Sequence, residues 1–245
     1  MPFVVGDTLP GAFSITLVFD YKQLKPNRHI AAFFDFDETL LDVESGRLGI
    51  QWLWDRRLVP FGYILKILTA NFLYKRRMLS DERMVKTMLT FYRKKRLADF
   101  QKGSDNFYKS YLKPHLAPGI LSRVHFHKEE GHLLVLISGS VRYLLEPVVR
   151  DLEFDHLLCT DLEVDKNGLM TGKPADLVCV DHNKKILALK LAQQLELDLE
   201  KSYAYGNHHS DLPLLETVGN PHAVEPNSIL EKIAHHRSWP ILAYR

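Results

Sequence analysis

A chain of 245 residues, 46% apolar and 25% charged, can bury a full core and fits one domain, alone or with a second inserted into it. Its two cysteines, Cys159 and Cys179, imply no disulfide framework and stand at no metal-ligand spacing. The net charge of +2 is uneven: residues 55–97 hold 12 Lys/Arg against 3 Asp/Glu, so the remainder is acidic. A basic segment in an acidic protein points to an anionic partner, such as a phosphorylated substrate or a lipid headgroup surface, rather than to nucleic acid.

In chain order, Met1 to Asp7 lack a basic stretch followed by a long apolar run, so no signal peptide is expected and a cytoplasmic location is. Residues 1–29 form an N-terminal extension with strand-like alternation over 13–19; an edge strand, an ordered extension and a loose tail are all open. The run Ile30-Ala31-Ala32-Phe33-Phe34 predicts a short buried strand. Beyond Leu40 the apolar spacing turns helical and stays so to Pro114. After the Pro118-Gly119 pair a helix leads to a strand at 132–137. Then come a helix at 143–152, a strand at 157–163, a turn at Asn167-Gly168 and a short strand at 177–180. The series closes with helix 184–196, strand 202–205, helix 212–218, strand 222–224 and helix 228–236. Such alternation predicts an α/β fold, a Rossmann-like parallel sheet with helices on both faces. An inserted all-helical cap over 41–114 then divides the catalytic core, 30–40 and 115–245, and is placed as a lid.

Four pieces with chemical potential fall at strand ends. Asp35-Phe36-Asp37-Glu38-Thr39 delivers two carboxylates to the C-terminal edge of the first strand, where open parallel sheets bind ligands. Ser138-Gly139-Ser140 leaves the strand at 132–137. The Lys184-Lys185 pair opens a helix. Gly206-Asn207-His208-His209-Ser210-Asp211 follows the strand at 202–205 and supplies further oxygens. Hard oxygen donors suit Mg²⁺, and cationic or hydroxyl groups suit the equatorial oxygens of a phosphoryl transition state.

The ordered set resembles the haloacid dehalogenase superfamily of phosphatases, in particular the phosphoserine phosphatase branch and its subfamily IB relatives. The likeness runs over about 30–242 and takes in Cys159-Thr160-Asp161-Leu162-Glu163, Thr171-Gly172, the run from Gly219 to Pro226, and Trp239-Pro240. It implies a HAD-like core in which Asp35 attacks phosphorus to form an aspartyl-phosphate and Asp37 serves as acid, then base. It also implies Mg²⁺ on the Asp35 carboxylate, the Asp37 carbonyl and a side chain of the fourth piece, Asn207 or Asp211. Thr39, Ser138, Gly139 and one lysine would hold the phosphate. Spacing from Cys179 selects Lys184; the phase of the following helix, with Ile186 and Leu189 placed toward the core, selects Lys185, which is favoured here. The chain departs from the family in carrying Asn207 where an acid is usual, and in His208-His209.

The resemblance implies a small phosphorylated metabolite as substrate, such as phosphoserine or histidinol phosphate. Glu44 stands where phosphoserine phosphatases place a carboxylate toward the substrate amine; a solvated glutamate is the simpler reading. Residues 58–74 are nearly all apolar and flanked by Arg56, Arg57, Lys75, Arg76 and Arg77. Cap core is the default, and peripheral contact with an anionic membrane, with a phospholipid-type substrate, is the alternative. A phosphotransferase and a catalytically weak phosphate-binding protein complete the alternatives. Oligomeric state is unreadable.

Overall fold

The computed structural model describes residues 27–76 and 78–245. The strand-like alternation over 13–19, nearly all of the 1–29 extension and Arg77 lie outside the described residues. Six parallel strands form the main sheet in the order β3-β2-β1-β6-β7-β8. These are β1 (Ala31–Asp35), β2 (Leu133–Val141), β3 (His156–Thr160), β6 (Tyr203–Gly206), β7 (Asn220–Val224) and β8 (Ile241–Leu242). Between β3 and β6 the chain makes a separate two-stranded antiparallel hairpin, β4 (Leu162–Val164) with β5 (Met170–Pro174), turned at Asn167-Gly168.

The strands read as continuous apolar runs because the sheet is covered on both faces. Successive residues feed two hydrophobic clusters. Ala32, Phe34, Leu134, Leu136 and Tyr205 enter one, and Ala31, Phe33, Leu133, Val135 and Ala204 enter the other. The first cluster is closed by α5 (Pro118–Glu129) and α6 (Arg142–Leu152). The second is closed by α7 (His182–Leu195), α8 (Leu212–Leu215) and α9 (Ser228–His236). Pro118 suits the first turn of α5, where its missing N–H has no partner to lose.

Between β1 and α5 the chain is helical: α1 (Ser45–Asp55), α2 (Phe61–Lys75), α3 (Asp81–Leu89) and α4 (Leu97–Phe107). This stretch shares the first cluster through Trp52, Phe91, Tyr92, Phe100, Phe107 and Leu112. The hydroxyls of Tyr92 and Tyr143 meet at 2.9 Å in that interior, so each buried phenol has a partner.

The sequence reading needs correction at 157–163, which is β3 and β4 in separate sheets rather than one strand, and at 177–180, and it left out the last strand. Residues 177–180 are not a strand: the Cys179 N–H donates to Thr160 Oγ1 at 3.1 Å instead of to a ladder, and the segment loops into α7. The edge strand β8 follows Trp239-Pro240 and pairs with β7 through Ala223↔Ile241 and Val224↔Leu242; two residues are too short for any periodicity to show.

Candidate active site

β1 lies between β2 and β6, and the chain proceeds outward from it in both directions. That makes the C-terminal end of β1 the topological switch point of the sheet, the position where open α/β folds leave a crevice. Asp35 ends β1, buried and paired in register with Ile137. A tight turn over Phe36–Leu40 follows, with Glu38 in the left-handed region at φ 52°. A non-glycine residue there is strained, and two main-chain bonds hold it. The Glu38 N–H donates to the Val43 carbonyl at 3.3 Å, and the Tyr244 hydroxyl donates to the Glu38 carbonyl at 2.7 Å.

Lys184 reaches the centre of the cluster, its Nζ 2.6 Å from both Asp35 Oδ1 and Asp211 Oδ1. Lys185, favoured on helix phase, makes neither contact. The physical reason is which face of α7 packs on the sheet: the buried residues are Lys184, Ala188, Leu191 and Ala192, spaced i, i+4, i+7 and i+8, so Lys184 is on the inward side. Ile186 and Leu189, expected in the core, are 40% and 41% exposed. Burial works against a charged Lys184, but the Asp211 and Asp35 carboxylates outweigh it and hold its pKa above the usual lysine range. Burial pushes the Asp35 carboxyl up to about 7 while Lys184 pulls it down and Asp211 and Asp37 push it further up. Among the described residues, three carboxyl groups, buried Asp35 and Asp211 and half-buried Asp37, thus gather around Lys184.

Asp37 is held from two sides. The Ser45 N–H, at the first turn of α1, donates to its Oδ1, so the carboxylate also sits at the positive end of a helix. The Ser140 hydroxyl donates to its Oδ2 at 3.2 Å and meets the Ser45 hydroxyl at 2.9 Å. Burial raises the Asp37 pKa above the ordinary carboxylate value, and the bonds from Ser45 and Ser140 oppose it. A carboxyl whose pKa is raised in this way is suited to exchanging a proton with a reacting group.

Thr39 is fully buried and donates to Asp35 Oδ2 at 3.1 Å. Ser138 is also fully buried, and its Oγ accepts the Ser140 N–H at 3.0 Å. β2 runs on to Val141 with a register shift between Ser138 and Val141, and that irregularity re-aims the hydroxyls. Gly139 leaves no room for a Cβ, which would stand 2.8 Å from Val180 Cγ1. Ser45, Ser140 and Tyr244 were not singled out from sequence. Ser140 had a signal in its strand-end motif and Ser45 in its place at a helix start; Tyr244 had none, since only the fold brings the C-terminal segment to residue 38.

The fourth piece divides its roles. The Asn207 amide nitrogen donates to Glu38 Oε2 at 3.4 Å, and its Oδ1 lies 3.5 Å from Thr39 Oγ1, on the Asp35 side. Asp211, expected among the metal ligands, spends Oδ1 on Lys184 and Oδ2 on the His208 N–H at 3.1 Å. These two bonds tie Asp211 to the lysine and to the turn at His208. His208 and His209 are tied locally, to Ser210 Oγ at 2.8 Å and to Asn227 Nδ2 at 2.9 Å. Glu44 is exposed at the N-cap of α1 and makes no capping bond.

Gly206 makes this packing feasible, because a Cβ on it would lie 2.7 Å from Asp211 Cβ and 2.9 Å from Oδ2. Gly206→Ala is expected to destabilise the fold by about 1–3 kcal/mol through that overlap. Chemical denaturation midpoints read the effect, and an unchanged midpoint would mean that Asp211 is free to move.

Among the described residues no three His, Cys, Asp or Glu side chains are arranged around a cation position. The oxygens present nevertheless suit Mg²⁺, which is commonly held by one or two carboxylates, waters and substrate phosphate. Asp35, the Asp37 carbonyl and Asn207 Oδ1 are hard donors, and the gathered carboxyl groups favour a cation.

The chain resembles known proteins over most of its length. It is 29% identical to a histidinol-phosphatase of Neisseria meningitidis over 223 residues, covering 87% of this chain and 98% of that one. A crystal structure of a protein of unknown function from Bordetella pertussis superposes with a TM-score of 0.81 at 24% identity, covering 89% of this chain and all of that one. A phospho-aspartyl intermediate analogue of phosphoserine phosphatase superposes with a TM-score of 0.62 at 18% identity, covering 88% of this chain and 93% of that one. The family model described as haloacid dehalogenase-like hydrolase matches residues 32–216, from β1 through Lys184 and Asp211 to just beyond α8, and the chain belongs to that family.

Proposed function

We propose that this phosphoric monoester hydrolase acts on a small phosphorylated metabolite through an aspartyl-phosphate on Asp35, with Mg²⁺ as cofactor. The observation that carries the reading is the pairing of two differently held carboxylates at the switch point. Asp35 lies against Lys184, whereas Asp37 is held by hydroxyl and amide donors. Mg²⁺, held by Asp35, the Asp37 carbonyl and Asn207, would offset negative charge between the carboxylates and the phosphate.

In the first step an Asp35 carboxylate oxygen forms a bond to phosphorus as the bond from phosphorus to the ester oxygen breaks. Asp37 gives its proton to the departing alkoxide. In the second step Asp37, now ionised, takes a proton from water; the oxygen of that water bonds to phosphorus, and the Asp35 carboxylate leaves. Lys184 and Thr39 hold the nucleophile in place, and Lys184, Ser138 and nearby main-chain N–H groups stabilise the phosphoryl oxygens. The 41–114 helices serve as the cap over this chemistry.

Phosphoserine and histidinol phosphate are the substrates that the similar proteins suggest. A second reading, hydrolysis of a lipid phosphate, is favoured by the apolar residues that α2 leaves on the surface. Initial rates over phosphoserine, histidinol phosphate, phosphatidylglycerophosphate and simple sugar phosphates decide between them. A kcat/KM for an amino-alcohol phosphate well above the lipid value supports the first reading, and the reverse order would overturn it.

A further inference from the structure

Helix α2 is built inside out. Its inward face is Tyr63, Ile64, Ile67, Ala70 and Tyr74, buried or half-buried. Its outward face carries a second apolar stripe: Phe61, Leu65, Leu68 and Phe72 are 75%, 58%, 60% and 58% exposed. The spacing i, i+4, i+7, i+11 puts all four on one side of the helix. Leu58 just before it and Met78 just after it are also exposed, which lengthens the patch. Scattered exposed apolar residues are ordinary, but a contiguous stripe on one helix marks an interaction surface.

Charge decides which partner fits. No Asp or Glu occurs from Leu58 to Ser80, whereas Arg56 and Arg57 stand at one end of the stripe and Lys75 and Arg76 at the other. The Arg76 guanidinium lies 5.2 Å from the centre of the Phe72 ring, joining the cationic end to the apolar face. A second copy packed on the same stripe around a two-fold axis would bring these basic ends toward one another. No described helix is long and apolar enough to cross a membrane. At 15 residues, α2 is suited to lie in the plane of a bilayer surface.

We propose that α2 docks the protein on an anionic lipid bilayer, with Phe61, Leu65, Leu68 and Phe72 entering the interface and the flanking Arg and Lys side chains meeting headgroup phosphates. Each basic residue close to an anionic surface strengthens binding roughly fivefold. Docking is independent of the substrate assignment, because it concerns a surface outside the carboxylate cluster.

The test is co-sedimentation of the full chain with vesicles of phosphatidylcholine alone and of phosphatidylcholine with about a third phosphatidylglycerol, at low salt and at physiological salt. Phe61→Ser/Leu68→Ser/Phe72→Ser changes only exposed positions and keeps its phosphate release from soluble substrates. Arg57→Gln/Arg76→Gln tests the charge. Docking predicts binding to the anionic vesicles that weakens with salt, falls at least tenfold in the triple variant, and falls severalfold in the double variant. Folded protein that ignores anionic vesicles would overturn it. So would binding that the triple variant retains, or a dimer in solution that the triple variant dissolves without any lipid binding.

Discussion

Asp35→Asn is expected to lower phosphate release roughly ten-thousandfold, the scale on which removing a covalent nucleophile acts. The asparagine keeps the size of the side chain and its contact with Thr39, but its amide cannot form a stable bond to phosphorus. Folding should survive, because Lys184 retains Asp211. The sign of the stability change follows from the raised pKa of Asp35. A carboxyl whose folded pKa lies above its unfolded value binds its proton more tightly in the fold, so ionising it costs stability as pH rises from about 4 to about 7. In EDTA the parent should therefore lose ground against Asp35→Asn across that window, and the two should converge below it. Thermal unfolding from pH 4 to 8 reads the difference. Normal turnover by Asp35→Asn would remove the nucleophile from the mechanism.

Lys184→Met is expected to abolish activity and to destabilise the fold by about 3–5 kcal/mol, because it strips the paired cation from buried Asp35 and Asp211. The loss should deepen as pH rises: without the lysine, burial and the neighbouring carboxyl groups hold Asp35 still further above its unfolded pKa, and its ionisation then opposes folding. Lys185→Met should leave both activity and stability close to the parent. Denaturation of the two variants at pH 5 and pH 8, with phosphate release beside it, separates the adjacent lysines. Equal effects of the two substitutions would contradict the placement of Lys184.

These two residues show how far the sequence carries. β1 and its Asp35-Phe36-Asp37 turn were legible because an all-buried strand followed at once by carboxylates has few structural alternatives. The parallel sheet was legible from the alternation of elements, and the closing helix was expected over 228–236, where α9 lies. Spacing from Cys179 points to Lys184, whereas helix phase favours Lys185 because it sets Ile186 and Leu189 on the inward face; the smaller Ala188 and Ala192 pack inward instead, with Leu191. The 177–180 segment has strand-like residues, but its Cys179 N–H goes to the Thr160 side chain, a tertiary contact, and its Val180 N–H to Val178 within the loop. The partners of Asp37 were hidden for the same reason, since Ser140 lies 103 positions away in sequence. Spacing within a motif reports local geometry; contacts between motifs are set by the sheet.

The covalent step itself is tested most directly with Asp37→Asn and p-nitrophenyl phosphate in the presence of Mg²⁺. Nitrophenolate leaves without needing a proton, so the first step survives the loss of the acid, while the second loses its base and stalls. The account predicts a rapid release of about one equivalent of nitrophenolate per chain, then a slow phase, with a phosphoryl group on the acid-quenched peptide that contains Asp35. A phosphoryl group on any other side chain, or steady release from the outset with none on the protein, would contradict it.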